Sequence, residues 1–387
     1  MDEPAVAATE LGEVDGSTVW GVVYPHPDYE GNPWTQWGQG IVLPDGRLIS
    51  AIGDHLGPDG NSFVYEYVPE ARELSMVADV LSYTDHVPGT WGYGKIHGQM
   101  TLGACDEVYY STYWGTYRGI EFEGNYRGDL LFRLDPAART VERLSVPVDL
   151  HGQASLAGAP GHGLVYGEAI DPVLKESEID EGPFFAYDVT TGETVFTGPA
   201  TPHVGFRAMI VDSDERAYYS IGGGELAVYD PATGELGTHP ATMPGDWLRA
   251  ATVVADDGSV YGVTSDPDEF FVMRADGTIE PMGETPGYTA TLALSPDGER
   301  VYFMPGAHGN SWESGAPLMA LDTATGEQTV IAELNALVEE SLGLTVGGTY
   351  SIVVSADGDE LYVGVNASPV GDDSGFGEVA LLIIDLP

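Results

Sequence analysis

Five of the nine histidines, His55, His97, His151, His203 and His308, stand in stretches dense in glycine, glutamine and aromatic residues. Two of them open a matched run, His97-Gly98-Gln99 and His151-Gly152-Gln153. An imidazole changes charge near neutral pH, and its neutral form is a common metal ligand. Two chemistries are therefore open. In one, the imidazoles of residues such as His55 and His97 move protons as general acids and bases. In the other, His97, His151, His203 and Gln153 surround a divalent cation (calcium, manganese or zinc) in a mixed nitrogen and oxygen site. A third reading needs no chemistry, because a buried histidine satisfied by a hydrogen-bond partner is ordinary in a core.

Cations are the scarce residue type. The chain holds 61 acidic residues against 14 Lys and Arg, for a formal net charge of -47. Its only lysines are Lys95 and Lys175. Yet Lys95, Arg207 and Arg249 recur in the same stretches as the histidines. An anionic ligand at that place accounts for cations kept in such a chain. The ligand-binding candidates are then Lys95, Trp114, Arg207, Arg249, His308, Trp312 and Tyr350. The aromatic residues offer flat faces, although Tyr113 and Trp114 are equally explained by packing.

These residues are far apart in sequence, so a repeat must gather them. One unit recurs: an apolar strand, an Asp-Gly type turn, a strand rich in Val, Tyr and Ile, a loop, a third strand and a second turn. First turns include Pro44-Asp45-Gly46, Asp256-Asp257-Gly258, Pro296-Asp297-Gly298 and Ala356-Asp357-Gly358. Second turns follow an Asp-x-x-Thr-Gly-Glu pattern starting at Asp188, Asp230 and Asp322. Such residues pre-set hairpin dihedrals. Seven units follow, with first strands starting near Gly38, His97, His151, Phe206, Arg249, Thr289 and Thr349. The fold class is all-β: a seven-bladed β-propeller of four-stranded antiparallel blades. The last unit has only three strands, and Thr18–Tyr24 supplies the fourth, closing the ring. Residues 1–387 form a single domain with 1–16 as a flexible lead, and Leu334–Leu342 is the one helical stretch.

In a propeller, the first strand of each blade lines the channel. Its start lies on the face where the loop after the second strand emerges. The starts at Trp37, Lys95, His97, His151, His203, Arg207, Arg249, Tyr288 and Tyr350 therefore share a face with Asp54-His55, Tyr113–Arg118, Glu168, Asp171 and His308–Trp312. That face, the mouth of the channel, is the expected site.

Composition excludes other classes. The acids are scattered over the chain and read as a halophilic surface, whose self-repulsion molar salt screens. Nucleic acid would meet no basic stripe and is not expected as a partner. No apolar run is long enough to span a membrane. A single cysteine, Cys105, allows no intrachain disulfide. The N-terminus lacks the pattern of a signal peptide. A saline exterior and a salt-rich cytoplasm both select such a surface; the expectation is a secreted protein whose signal peptide is absent from this chain. Oligomeric state is left open.

The stretches Gly53-Asp54-His55, Trp91-Gly92-Tyr93-Gly94-Lys95-Ile96-His97-Gly98 and Tyr113-Trp114-Gly115-Thr116 resemble seven-bladed propeller polysaccharide lyases. The likeness is to those cleaving rhamnose–glucuronate linkages, and more distantly to oligogalacturonate and ulvan lyases. It covers about blades 1 to 3; beyond them only the repeat carries it. The resemblance implies an anionic oligo- or polysaccharide partner, catalytic His and Tyr near the channel, and often a bound cation. β-Elimination at a uronate needs the carboxylate neutralised, by Arg207, Arg249 or a metal. It also needs a base, His97 or Tyr113, and an acid for the leaving oxygen, His55 or Tyr117. The net charge repels an anionic polymer, so binding needs high salt. Two alternatives stand beside this. One is a non-catalytic propeller that binds a sugar or a protein. The other is a metal-dependent hydrolase or lactonase, disfavoured because its site would want several carboxylate and Asn ligands in the channel.

Overall fold

Hairpin turns set the repeat. The Asp188 carboxylate accepts from the amides of Thr190 and Thr191 at 2.7 and 3.0 Å. Asp322 does the same for Ala324 and Thr325, and the glycines that end these turns, Gly192 and Gly326, have φ of 74°. The short side chain thus caps the turn, and glycine takes the left-handed residue at no steric cost.

The structure, a computed structural model, describes residues 4–113, 126–170, 181–202 and 208–386. Its strands form seven antiparallel sheets in a ring, one per blade. The innermost strands are Ile41–Val42, Lys95–Ile96 with Thr101–Leu102, Gly152–Ala159, Ile210–Val211, Trp247–Ala251, Ala293–Leu294 and Leu344–Val354. Several are shorter than the repeat suggests, because the chain around the channel mouth bonds across seams instead of along its own blade. Strands in the middle of a blade read as unbroken apolar runs, for example Glu378–Asp385 in blade 7, because neighbouring blades cover both faces. The core is accordingly a set of layers between blades. One packs Phe63, Tyr65 and Tyr67 of blade 1 against Tyr362, Leu381 and Ile383 of blade 7. Outermost strands such as Thr140–Ser145 are mostly exposed.

The ring closes as expected. Ser17–Val23 pairs with Glu378–Asp385 as the fourth strand of blade 7, with Val19 opposite Ile384 and Val23 opposite Ala380. Residues 4–16, set aside above as a flexible lead, add more. Thr9–Val14 is a fifth strand on blade 7, and Val6–Ala7 pairs with Glu73–Asp79 of blade 1. One N-terminal arm therefore crosses the seam where the ring is joined and covers two sheet edges. A second tie links blades 1 and 2: the buried Glu66 carboxylate accepts from both Arg47 and Arg139. The helix Asn335–Leu342 sits between blades 6 and 7. No helix among the described residues is long and apolar enough to cross a membrane.

Candidate functional site

The mouth is built first from a backbone zip between blades 1 and 2. The His55 amide donates to Gly94 O at 2.9 Å, Gly92 N to Gly57 O at 3.0 Å, and Tyr93 N to Gly60 O at 2.6 Å. A Cβ on Gly53 would lie 2.2 Å from Gly94 O, and one on Gly92 would lie 2.2 Å from Gly60 O. The glycines of Trp91-Gly-Tyr-Gly94 thus let two backbones touch. Asp54, fully buried, pins the loop: its carboxylate accepts from Leu56 N, Asn61 N and the Tyr29 hydroxyl at 2.8–2.9 Å. Burial outweighs those bonds and raises its pKa to about 6. His55 follows in a left-handed conformation, φ 55°.

Lys95 emerges from this zip into an aromatic clamp. Its Nζ lies 4.1 Å from the centre of the Trp37 ring and 5.3 Å from that of Tyr113, and the residue is buried. Aromatic faces stabilise a desolvated cation. His97, two residues on, stacks on Tyr113 at 4.6 Å between ring centres. Its Nδ1 is 2.6 Å from Ala154 O of blade 3. A carbonyl only accepts, so Nδ1 carries the hydrogen and Nε2 is the basic atom of the neutral ring. His55 is held neutral, its pKa lowered to about 3 by burial first and the Lys95 charge second.

Trp37 joins this half to the other. Its ring meets His55 at 5.9 Å, Tyr350 at 4.8 Å, Phe376 in a stack at 5.7 Å and His308 edge-on at 6.1 Å. His308 Nδ1 and the Tyr350 hydroxyl are 2.5 Å apart. Arg249 donates from Nε to the Tyr288 hydroxyl at 2.5 Å, with its guanidinium 4.7 Å from that ring's centre. A continuous belt of rings and cations thus runs through blades 2, 1, 7, 6 and 5. His308 is exposed, and Trp37, Tyr288 and Phe376 are partly exposed. Lys95, His97, Tyr113, Arg249 and Tyr350 lie beneath them.

The structure therefore gathers His55, Lys95, His97, Tyr113, Arg249, His308 and Tyr350. Trp114, Tyr117, His203 and Arg207 lie outside the described residues, as do Asp171 and Lys175. Trp312 sits in the turn of helix Ser311–Ser314 with its indole nitrogen buried and without a partner; no ring contact ties it to the belt among the described residues. Glu168, placed above in a mouth loop, is instead inside the strand Leu164–Ile170, buried and accepting from the Ser155 hydroxyl at 2.6 Å. The sequence placed Trp37 and Tyr288 on this face without giving them a role, and did not name Phe376. The first two stand at first-strand starts. Phe376 lies in the loop after the second strand of blade 7, so the rule that found His308 also reaches it.

Of the expected cation ligands, His97, His151 and Gln153 lie among the described residues and His203 lies outside them. His151 Nδ1 is 2.7 Å from Asp149 O, and the Gln153 amide nitrogen donates to Asp129 O at 2.7 Å. The Gln153 oxygen is buried without a hydrogen-bond partner, yet no group of three His, Cys, Asp or Glu residues suited to a metal occurs among the described residues. We route no step through a cation.

Fold and belt together define a seven-bladed β-propeller with an aromatic, cation-bearing channel mouth. Among solved structures it is similar to a streptogramin B lyase (10% identity, TM-score 0.56, 96% of this chain and 100% of that one). It is also similar to virginiamycin B lyase from Staphylococcus aureus (9%, 0.56, 95% and 99%) and to the WD40 β-propeller domain of Doa1 (12%, 0.57, 97% and 96%). At these identities the likeness is one of fold. No family model and no curated protein matches the chain.

Proposed function

We propose that the channel mouth binds the uronate of an anionic glycan and cleaves it by β-elimination. The observation that carries the reading is the aromatic clamp on Lys95 with His97 stacked beside it. Lys95 and Arg249 neutralise the carboxylate, which acidifies the hydrogen on the neighbouring carbon. Nε2 of His97 accepts that proton. The electron pair forms a carbon–carbon double bond as the β carbon–oxygen bond breaks, and the departing oxygen takes a proton from a phenol. Tyr113, stacked on His97, donates that proton in this reading; Tyr117, the other phenol, lies outside the described residues. His55 does not serve as the acid, because an imidazole held neutral by burial is a weak donor. Trp37, Phe376 and Tyr288 give the sugar rings flat, partly exposed faces.

A second reading, a non-catalytic glycan-binding propeller, is favoured by one observation: the exposed belt residues are mostly aromatic, and the reactive ones lie under them. Ultraviolet absorbance separates the two, since an unsaturated uronate absorbs and an intact one does not. The protein is mixed in molar KCl with a panel of uronate-containing polysaccharides, with and without chelator. A rising signal that His97→Gln abolishes supports the lyase. Binding without signal moves the weight to the second reading, and neither binding nor signal overturns both.

A further inference from the structure

The channel has a second mouth, at the end where the first turns lie, and its chemistry is the reverse of the first. Between the two runs a bridge of glutamines. Gln99 donates from Nε2 to Gln39 Oε1 at 2.9 Å, and Gln39 donates from its own Nε2 to Ile352 O at 2.9 Å and Leu292 O at 3.2 Å. Four blades are thereby linked across the channel. Below this bridge lies a cavity of about 510 Å³, walled by all seven blades. Its twenty-seven lining residues include Leu43, Met100, Leu156, Met209, Leu294 and Val354, and none has an ionisable side chain.

Several polar groups of that wall are already engaged in hydrogen bonds, and its surface is mainly apolar. The amides of Gly40, Met100 and Ile352 bond across seams, to Ser351 Oγ at 2.9 Å, Gln39 O at 2.9 Å and Thr291 Oγ1 at 3.3 Å. The Thr252 hydroxyl accepts from Tyr261 N, and the Ser355 hydroxyl bonds Asp357. Water in such a cavity finds few partners, so an apolar occupant gains by displacing it. A charged occupant of either sign would lose its hydration with no counter-group in the wall. The rim adds discrimination, because Asp297 and Asp357 each stand next in sequence to a lining residue and disfavour anions, while Asp45, likewise adjacent, is paired with Arg47.

We propose that this second mouth is a binding site for an uncharged, mainly apolar small molecule. Its volume falls in the range of ordinary small-molecule pockets. The site is separate from the cationic belt and does not depend on the elimination reading, so the two stand or fall apart.

The probe is N-phenyl-1-naphthylamine, neutral at pH 7, whose emission rises in apolar surroundings. It is titrated into the full chain in molar KCl and displaced with a matched pair, naphthalene-1-ethanol and naphthalene-1-acetate. The expected result is saturable emission, with the alcohol displacing at least tenfold better than the acid. Ala157→Phe, which fills the cavity, and Val253→Asp, which sets a charge at a lining position 75% exposed, each weaken binding tenfold or more. Val253→Asp keeps the test informative if the filled variant does not fold. Lys95→Met, in the other mouth, leaves the titration unchanged. No saturable emission from folded protein overturns the proposal. So does equal displacement by alcohol and acid, or loss of binding in Lys95→Met with none in Val253→Asp.

Discussion

Replacing His55 by Asn should change how stability depends on pH, and in a direction the geometry fixes. Asn keeps a polar side chain and tolerates the left-handed backbone at this position. The imidazole's pKa falls from the ordinary 6.5 to about 3 in the folded chain, through burial and the nearby Lys95 charge. Below pH 6.5 the unfolded chain therefore takes up a proton that the folded chain refuses. This stabilising contribution is complete above pH 6.5 and is lost as pH falls towards 3. Its neighbour Asp54 works oppositely. With a folded pKa raised from 3.8 to about 6, it takes up its proton first in the folded chain, adding stability as pH falls through 6 to 3.8. Each contributes at most about 1.4 kcal/mol per pH unit, so between about pH 4 and 6 the two slopes oppose each other. The variant loses only the His55 slope. Relative to wild type it should gain about 3 kcal/mol between about pH 6.5 and 4, whatever the substitution costs at neutral pH. Urea unfolding of both proteins in molar KCl, at steps from pH 7 to pH 4, measures the difference directly. The many other carboxylates cancel in that comparison. Curves that stay parallel would show that His55 is not desolvated beside Lys95, and the electrostatic account of the mouth would be wrong.

Gly94→Ala places a Cβ 2.6 Å from Asp54 Oδ1 and 2.7 Å from Leu56 O; overpacking of this kind should cost about 3 kcal/mol in urea unfolding, and an unchanged midpoint would mean the zip yields freely. Raising KCl from about 0.1 M to molar levels shortens the Debye length from ~10 to ~3 Å. With a net charge of -47, the urea midpoint should climb steeply over that range, and a flat response would refute the halophilic reading of the surface.

The blades were legible because each turn is specified locally: an Asp that caps two amides and a Gly in the left-handed region are written in consecutive residues. The closing strand was legible because blade 7 comes up one strand short. The belt was legible in part, since first-strand starts and second loops must share a face, which gathers His55, Lys95, His97, Arg249, His308 and Tyr350. What sequence could not reveal depends on contacts between blades. Trp37 is one aromatic among many until Phe376, Tyr350 and Lys95 close around it. Gly92 and Gly94 look like part of a functional motif, while their geometry is that of two backbones in contact. The apolar strands of residues 6–14 are too short and too acidic to announce pairing, and they pair because two sheet edges stand open beside them. Glu168 looked like a loop carboxylate because the strand Leu164–Ile170 runs further than its apolar residues suggest.

Molar salt constrains how either mouth can act. At a screening length of ~3 Å, the field of the whole protein neither repels an approaching glycan strongly nor steers it. On the proposed reading, affinity for an anion then comes from direct contact with Lys95 and Arg249, both buried. Cation–π contacts hold the two cations 4.1–5.3 Å from the ring centres of Trp37, Tyr113 and Tyr288. Apolar association, by contrast, is strengthened by salts that are excluded from protein surfaces. Under the halophilic reading, one channel can therefore hold a cationic mouth and an apolar mouth. In the first, short-range pairing replaces long-range attraction. In the second, the solvent itself favours occupancy.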